Sequence, residues 1–162
     1  MQPAEVRLVR PDAALLDAAL AGDGALARAL GHDVVAGWVT FTESLRHVRD
    51  APGDARWGPR LFVTDEPPEL VGWGGFKGPP HDGAVELGYE IAESRRERGL
   101  ATAAVRAMVA EAFRDEGVEA VIAHTLPERN ASNRVLAKVG FEFDGDTVQG
   151  GLTVWRFRLA RR

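Results

Sequence analysis

The chain contains no cysteine, which excludes several kinds of chemistry at once. Disulfide bonds, zinc sites built on thiolates and a cysteine nucleophile all need that side chain. Long apolar runs are also missing, because no stretch reaches the roughly 20 residues that a membrane-spanning helix needs. The segment from Met1 to Arg10 alternates charged and apolar residues and does not resemble a signal peptide. We therefore expect a cytoplasmic protein without disulfides and without a membrane partner.

An excess of positive charge is absent too. The net charge of the 162-residue chain is −4, whereas nucleic-acid-binding domains usually carry a basic surface, so we expect no nucleic-acid partner. The histidines have no metal-like spacing, and we expect no metal. Hydrophobic residues make up 45% and charged residues 27% of the chain, which is typical of globular proteins. Without an internal repeat or a dividing linker, residues 1–162 are expected to form a single domain.

The first third is predicted to hold one strand and two or three small helices. Glu5–Arg10 alternates as a strand does. Asp12 is a typical N-cap for an alanine-rich helix that runs to Leu20. Further helices are predicted over Ala25–Leu30 and Gly37–Val48, before a loop rich in glycine and proline.

Strands follow, and then the apolar period changes. The segments Arg60–Thr64, Leu70–Phe76 and Val85–Ala92 read as consecutive antiparallel strands joined by short turns. From Gly99 to Phe113 the apolar residues recur at helical spacing, and the nearly all-apolar Val118–Ala123 reads as a strand buried on both faces. Strand, helix and buried strand predict a parallel β-α-β unit.

The chain is predicted to close with a helix over Ala131–Val139, stopped by Gly140, and two strands over Phe141–Asp144 and Leu152–Leu159. The whole pattern predicts an α/β (α+β) fold in which helices flank a mixed, mostly antiparallel sheet.

The most informative segment, Arg95 to Thr102 (R-R-E-R-G-L-A-T), joins a strand to the start of a helix. The first N–H groups of a helix have no internal partners and lie at its positive end, so a phosphate gains several donors there. Gly99 lets a ligand approach the backbone closely, and the arginines add positive charge. An ordinary helix start with solvated arginines is the alternative interpretation. A Walker A loop and a dinucleotide-binding G-x-G-x-x-G are both excluded by the residues present.

Arg96-Glu97-Arg98-Gly99-Leu100-Ala101 resembles the [RQ]-x-x-G-x-[GA] signature of the GNAT acetyltransferases. Neighbouring segments resemble the branch that acetylates the N-termini of ribosomal proteins (RimJ/RimL-like). Those segments are G-G-F-K-G-P-P at 74–80, E-L-G-Y at 86–89, H-T-L-P-E at 124–128 and N-A-S-N-R-V-L-A-K-V-G-F at 130–141.

The resemblance implies that acetyl-CoA lies between two splayed parallel strands, Val85–Ala92 and Val118–His124. The pantetheine arm would pair with the backbone of Tyr89, Glu90 and Ile91, and Asn130 and Ser132 would contact the cofactor from the other side. The pyrophosphate would lie on Arg96, Glu97, Arg98, Gly99, Leu100, Ala101 and Thr102. Lys77 and Arg129 are further cations that could reach the CoA phosphates, although solvated surface charge is the simpler interpretation. The resemblance leaves open whether the protein acts as a monomer or a homodimer.

Two departures from the family pattern affect the expected chemistry. Many members have asparagine three residues before the position of Ser132, where this chain has Arg129. Other branches place a tyrosine, the acid for the departing thiolate, at the position of Leu136. The general acid therefore stays unassigned.

Glu86 and His124 are the candidate catalytic residues. Glu86 lies on the strand that would face the acetyl group, and burial would raise its pKa toward that of a general base; a surface carboxylate is the alternative. His124 follows the buried strand and could relay a proton, or could simply cap that strand. Glu90 is a weaker candidate base, and Tyr89 is more typical of a packed wall than of a proton donor. Trp38, Trp57 and Trp73 fit either an acceptor pocket or the core.

The sequence therefore predicts transfer of an acetyl group from acetyl-CoA to a primary amine, on a small molecule or a peptide N-terminus. A non-catalytic acyl-CoA sensor with the same fold is the alternative.

Overall fold

Alternating apolar residues and short turns produce eight strands in the computed structural model, which describes residues 4–162. Met1–Pro3, the start of the segment compared with a signal peptide, lie outside the described residues. The strands are β1 (Arg7–Val9), β2 (Asp33–Val34), β3 (Pro59–Asp65), β4 (Pro68–Phe76), β5 (Ala84–Ile91), β6 (Ala120–Thr125), β7 (Glu142–Gln149) and β8 (Leu152–Ala160).

The sheet has the order β1-β3-β4-β5-β6-β8-β7, and β2 lies beside β4. Most neighbours are antiparallel. Among the described residues, the parallel pairs are the two-residue contact of β2 with β4 and the central pair β5–β6. The predicted mixed, mostly antiparallel sheet with its parallel strand pair is confirmed. The two-residue β2 is too short for any periodicity to reveal it in the sequence.

Five helices flank the sheet: α1 (Ala13–Ala21), α2 (Asp23–Leu30), α3 (Thr42–Asp50), α4 (Leu100–Phe113) and α5 (Ala131–Val139). Asp12 caps α1 as predicted, since its Oδ1 accepts a 2.8 Å hydrogen bond from the Leu15 N–H. The helix predicted over Gly37–Val48 is wrong in its first turn, because it begins only at Thr42. Trp38 is buried in the core, and the chain before α3 forms a turn to place it there. In residues 4–162, no helix combines the length and apolar composition that crossing a bilayer requires.

Apolar residues form two clusters on opposite faces of the sheet. The larger cluster packs α4 and α5 against the centre of the sheet, through Val105, Met108 and Leu136 among others. The smaller cluster packs α1, α2 and α3 against β3 and β4. Together they cover both faces of the sheet while leaving the end of the β5–β6 pair open.

Candidate active site

The parallel strands β5 and β6 separate after three paired positions. Ala84, Val85 and Glu86 lie opposite Ala120, Val121 and Ile122, and beyond them no pairing continues. The carbonyl of Glu86 and the N–H of Ala92 bond to the β4 side. Because backbone groups alternate sides along a strand, those of Tyr89 and Ile91 face the gap. This gap is the opening that a pantetheine arm could pair with as an extra strand.

The start of α4 presents free backbone donors beside this gap. No side chain among the described residues caps α4, whereas Asp12 caps α1 and Asn130 caps α5. Gly99 has φ +78° and Glu97 has φ +64°, so two nearby residues take the left-handed conformation, which makes concave anion sites of successive N–H groups. The first turn of α4 therefore fits the pyrophosphate of a CoA ligand.

A cavity of about 890 Å³ lies over the gap and the start of α4. All the residues predicted to bind the cofactor line it except Arg98, which is exposed. Four cations border the cavity: Arg95, Arg96, Arg134 and Lys138. The sequence predicts only Arg96 among them as a cofactor ligand. Of these, Arg95 is held by Glu69 at 2.6 Å. On the α5 side, Asn130 uses its Oδ1 to accept from the Asn133 N–H at 3.0 Å.

A second cavity of about 860 Å³ lies between α3, the loop that follows it and strands β4 and β5. The two cavities share Tyr89 and Glu90. Trp57, Trp73 and Phe76 give the second cavity apolar walls, while its charged lining is mainly acidic: Glu43, Asp54 and Glu90 against Lys77. We call it the acceptor cavity, because an acidic, partly aromatic cavity suits an amine cation.

The floor of the acceptor cavity is bare backbone. Gly75 and Gly88 lie opposite each other in the β4–β5 register. A Cβ at Gly75 would meet the Gly58 carbonyl oxygen at 2.5 Å, so the fold requires a glycine there. At Gly88 the nearest atom to such a Cβ is Lys77 Cε, at 3.5 Å. Packing therefore does not require Gly88, and its missing side chain keeps the floor open.

Glu86 and His124 come together beside this floor, although neither borders either cavity. Glu86 Oε2 lies 3.0 Å from His124 Nδ1 and 2.7 Å from Lys77 Nζ. Burial is the largest influence on the pKa of Glu86 and raises it, but the hydrogen bonds and charges of Lys77 and His124 together prevail and lower it. The expectation that burial makes Glu86 a near-neutral base is therefore wrong, because its two basic neighbours stabilise the carboxylate.

A comparison with family models matches residues 6–142 to the acetyltransferase (GNAT) domain. The chain belongs to the GNAT acetyltransferase family. No curated protein matches it.

Solved structures share the GNAT fold over nearly the whole chain. A putative GNAT-family acetyltransferase from Bordetella pertussis is 23% identical with a TM-score of 0.68, covering 99% of this chain and 98% of that one. RimJ from Mycobacterium smegmatis, solved with CoA-disulfide, is 22% identical with a TM-score of 0.67, covering 98% and 86%. The aminoglycoside acetyltransferase AAC(6')-Ib, solved with coenzyme A, is 17% identical with a TM-score of 0.71, covering 97% and 95%. At these identities the likeness supports the fold alone.

Leu136 of α5 stands where other branches of the family have a tyrosine, and Tyr89 of β5 lies close to the start of the same helix. Leu136 is fully buried in the larger apolar cluster, so it supplies only packing. The hydroxyl of Tyr89 donates to the carbonyl oxygen of Ser132 at 3.5 Å, at the start of α5. Burial raises the pKa of Tyr89, so the phenol keeps its proton at neutral pH. Tyr89 also lies in the wall that the two cavities share.

Glu90 has its carboxylate turned toward the acceptor side. Its Oε1 accepts hydrogen bonds from the Thr40 N–H and from Trp73 Nε1, the latter at 3.2 Å. Trp73 in turn packs edge-on against Trp38, with ring centroids 6.1 Å apart. Glu90 therefore fixes the wall of the acceptor cavity through its Oε1. Of the three candidate tryptophans, Trp57 and Trp73 border this cavity, and Trp38 supports Trp73 from the core.

Sequence reasoning missed most of the acceptor cavity. Its outer wall comes from α3 and the loop after it, which carry no family motif. The loop is fixed by Arg60, whose guanidinium donates to the carbonyl oxygens of Ala55, Arg56, Gly58 and Pro59. A lone arginine in a predicted strand gives no sign of that role. The sequence suggests Lys77 as a cation that could reach the CoA phosphates, but its side chain lines the acceptor cavity instead.

Proposed function

We propose that residues 1–162 form a single acetyltransferase domain that transfers the acetyl group of acetyl-CoA to a primary amine by direct attack. One observation carries this proposal: an acidic cavity suited to an amine and a cavity suited to CoA meet at Tyr89 and Glu90, where β5 separates from β6. The amine and the thioester can therefore approach each other where the two cavities meet.

The thioester carbonyl would lie against the gap-facing backbone of β5. The Tyr89 N–H is available there to donate to the carbonyl oxygen as charge develops on it. The backbone N–H groups from Leu100 to Thr102 would hold the pyrophosphate.

Glu86 and His124 would act as a pair in removing the proton of the amine. An ionised Glu86 accepts a hydrogen bond from Nδ1–H of His124, and this leaves the lone pair on Nε2 to accept a proton from the amine through water. The carboxylate also stabilises the imidazolium that results. In this scheme Glu86 positions His124 and supports its charge.

A low-pKa amine suits such a site best. An α-amine has a pKa of about 7.7–8.0 and a lysine side chain about 10.4, a difference of roughly 3.4 kcal/mol in deprotonation. We therefore propose a peptide N-terminus or a small primary amine as the acceptor. The RimJ/RimL-like motifs around Glu86 and Asn130 support the same choice.

The proposal is tested by following CoA release with a panel of amines and peptides. Two matched peptides decide the acceptor class: one has a free N-terminus and an acetylated lysine, and the other has the reverse. Faster reaction of the free N-terminus supports the proposal, and faster reaction of the lysine overturns the choice of acceptor. If acyl-CoA binds but no amine in the panel is acetylated, the sensor interpretation is the better one.

A further inference from the structure

Of the 20 lysines and arginines in the chain, only Lys77 and Lys138 are lysines. Both lysines border the candidate active site. Lys138 lines the cavity of about 890 Å³ over the start of α4, which we call the cofactor cavity, and Lys77 lines the acceptor cavity. A lysine differs chemically from an arginine here, since its amine can lose a proton and become a nucleophile.

Lys77 extends across the open floor of the acceptor cavity. Its backbone N–H donates to the Glu86 carbonyl at 2.9 Å, and its Nζ lies 2.7 Å from Glu86 Oε2. Its Cε lies 3.5 Å from the place where a Cβ of Gly88 would stand. The side chain is 57% exposed, so packing does not lock it in this position.

The Lys77 side chain lies in the cavity where the substrate amine is expected to bind. Gly88 and Tyr89 border the acceptor cavity together with Lys77, and Tyr89 also borders the cofactor cavity. A primary amine of the protein therefore lies beside the junction of the two cavities, next to the carboxylate of Glu86. Holding a nucleophile beside its target can compensate for low intrinsic reactivity.

We propose that Lys77 is a self-acetylation site, modified by the acetyl-CoA bound to the same molecule when no acceptor fills the cavity. This inference rests on the proposed function. In the reaction, the Lys77 amine attacks the thioester carbonyl, a C–N bond forms and the C–S bond breaks. The amine proton passes to solvent or to the departing sulfur, and CoA leaves as the thiol.

Glu86 keeps this reaction slow relative to turnover of an acceptor, because the 2.7 Å ion pair between Lys77 Nζ and Glu86 Oε2 must break before the amine can attack. An acceptor amine that enters the cavity already deprotonated reacts first. Modification therefore accumulates only in the absence of acceptor.

The test is incubation of the purified protein with acetyl-CoA alone, with peptide mapping by mass spectrometry over time. We expect Lys77 to be acetylated at least about ten-fold faster than Lys138, at a rate per molecule that does not change with protein concentration. Excess CoA, which competes for the cofactor cavity, should suppress the reaction. In urea-unfolded protein the two lysines should react at similar rates, which controls for the intrinsic reactivity of acetyl-CoA.

Lys77→Arg is the matched variant, since it keeps the positive charge beside Glu86 and removes the nucleophile. It should abolish the fast modification while leaving the slower acetylation of Lys138 unchanged. Calorimetry with acetyl-CoA separates the two hypotheses. Binding without preferential acetylation of Lys77 overturns the self-acetylation proposal and leaves the proposed function intact. Absence of binding overturns both.

Discussion

The buried guanidinium of Arg60 donates through Nε to Glu111 Oε2 at 3.0 Å. This bond joins the loop after α3, which forms the outer wall of the acceptor cavity, to α4. Arg60 is only 1% exposed, and its ring of carbonyl partners belongs to the loop that walls the acceptor cavity. The N-terminal end of α4 lines the cofactor cavity. One helix therefore contributes to both halves of the site.

The first prediction concerns Arg60→Met. Removing the cation leaves Glu111 and the loop carbonyls without their partner, so we expect a loss of about 3 kcal/mol in the free energy of unfolding, measured by urea denaturation. Among molecules that stay folded, the KM for the amine should rise more than the affinity for acetyl-CoA falls. Arg156→Met is the control, because the Arg156–Asp144 pair is partly exposed and its loss should cost no more than about 1 kcal/mol. Equal costs for both variants would contradict this role of Arg60.

The second prediction concerns the cofactor cradle. A side chain at Gly99 would be strained by its φ of +78°, so Gly99→Val would test folding and binding together. Ala101→Glu separates them, since a carboxylate in the first turn suits the helix dipole but repels a phosphate. We expect acetyl-CoA affinity to fall about ten-fold or more by calorimetry, without loss of stability.

Ala110→Glu is the matched control for that experiment. It adds the same charge to an exposed position of α4, far from its first turn. It should leave acetyl-CoA affinity nearly unchanged. If the two variants bind alike, the pyrophosphate lies elsewhere.

The third prediction concerns Glu86→Gln, which should reduce the rate of amine acetylation by about 10²-fold. It also has a signature in stability. A carboxyl whose pKa is lowered by folding stabilises the protein above its ordinary pKa, which is 4.5 for a glutamate, and this contribution disappears as the pH falls through the lowered value. Glu86→Gln should therefore destabilise the protein at about pH 7 and progressively less below about pH 4.

Urea denaturation across that pH range measures the stability difference between Glu86→Gln and the wild type. A difference that grows on acidification would show that the neighbours of Glu86 do not stabilise its ionised form. His124→Gln should reproduce the loss of rate, because the two residues act as one unit in the proposed reaction. A full rate in either variant would remove that residue from the mechanism.

The fourth prediction concerns Gly88→Ala. The added methyl meets only the flexible end of Lys77, so stability should change by no more than about 1 kcal/mol. The methyl nevertheless narrows the floor of the acceptor cavity, and the KM for the amine should rise about ten-fold. Gly24→Ala, in α2 and away from both cavities, should leave the KM unchanged and alter stability by no more than about 1 kcal/mol.

Gly74→Ala provides the opposite comparison. Its Cβ would collide with the Gly88 carbonyl and with the Phe62 ring, so this variant should lose stability severely. An unchanged KM in stable Gly88→Ala would mean that the amine does not cross the floor at this point.

Local sequence patterns predicted much of the fold and the segments that line the cavity proposed for the cofactor. Period-2 segments, the helical spacing from Gly99 to Phe113 and the cap residues depend on interactions within a few residues, so the sequence alone reveals them. The phosphate cradle is local in the same sense, because it consists of one loop and one helix start. The resemblance to GNAT segments then placed Asn130 and Ser132 across the gap.

The tertiary structure decided the acceptor side and the charge state of its residues. Glu86 lies on β5, His124 lies on β6 and Lys77 follows the end of β4, and only the sheet register brings their polar atoms within 3.0 Å. Those contacts lower the pKa of Glu86, where burial alone would have raised it. Arg60 reaches Glu111 across 51 positions of sequence. The reason is physical: electrostatic contacts and cavity walls depend on distances in space, which the sequence determines only through the completed fold.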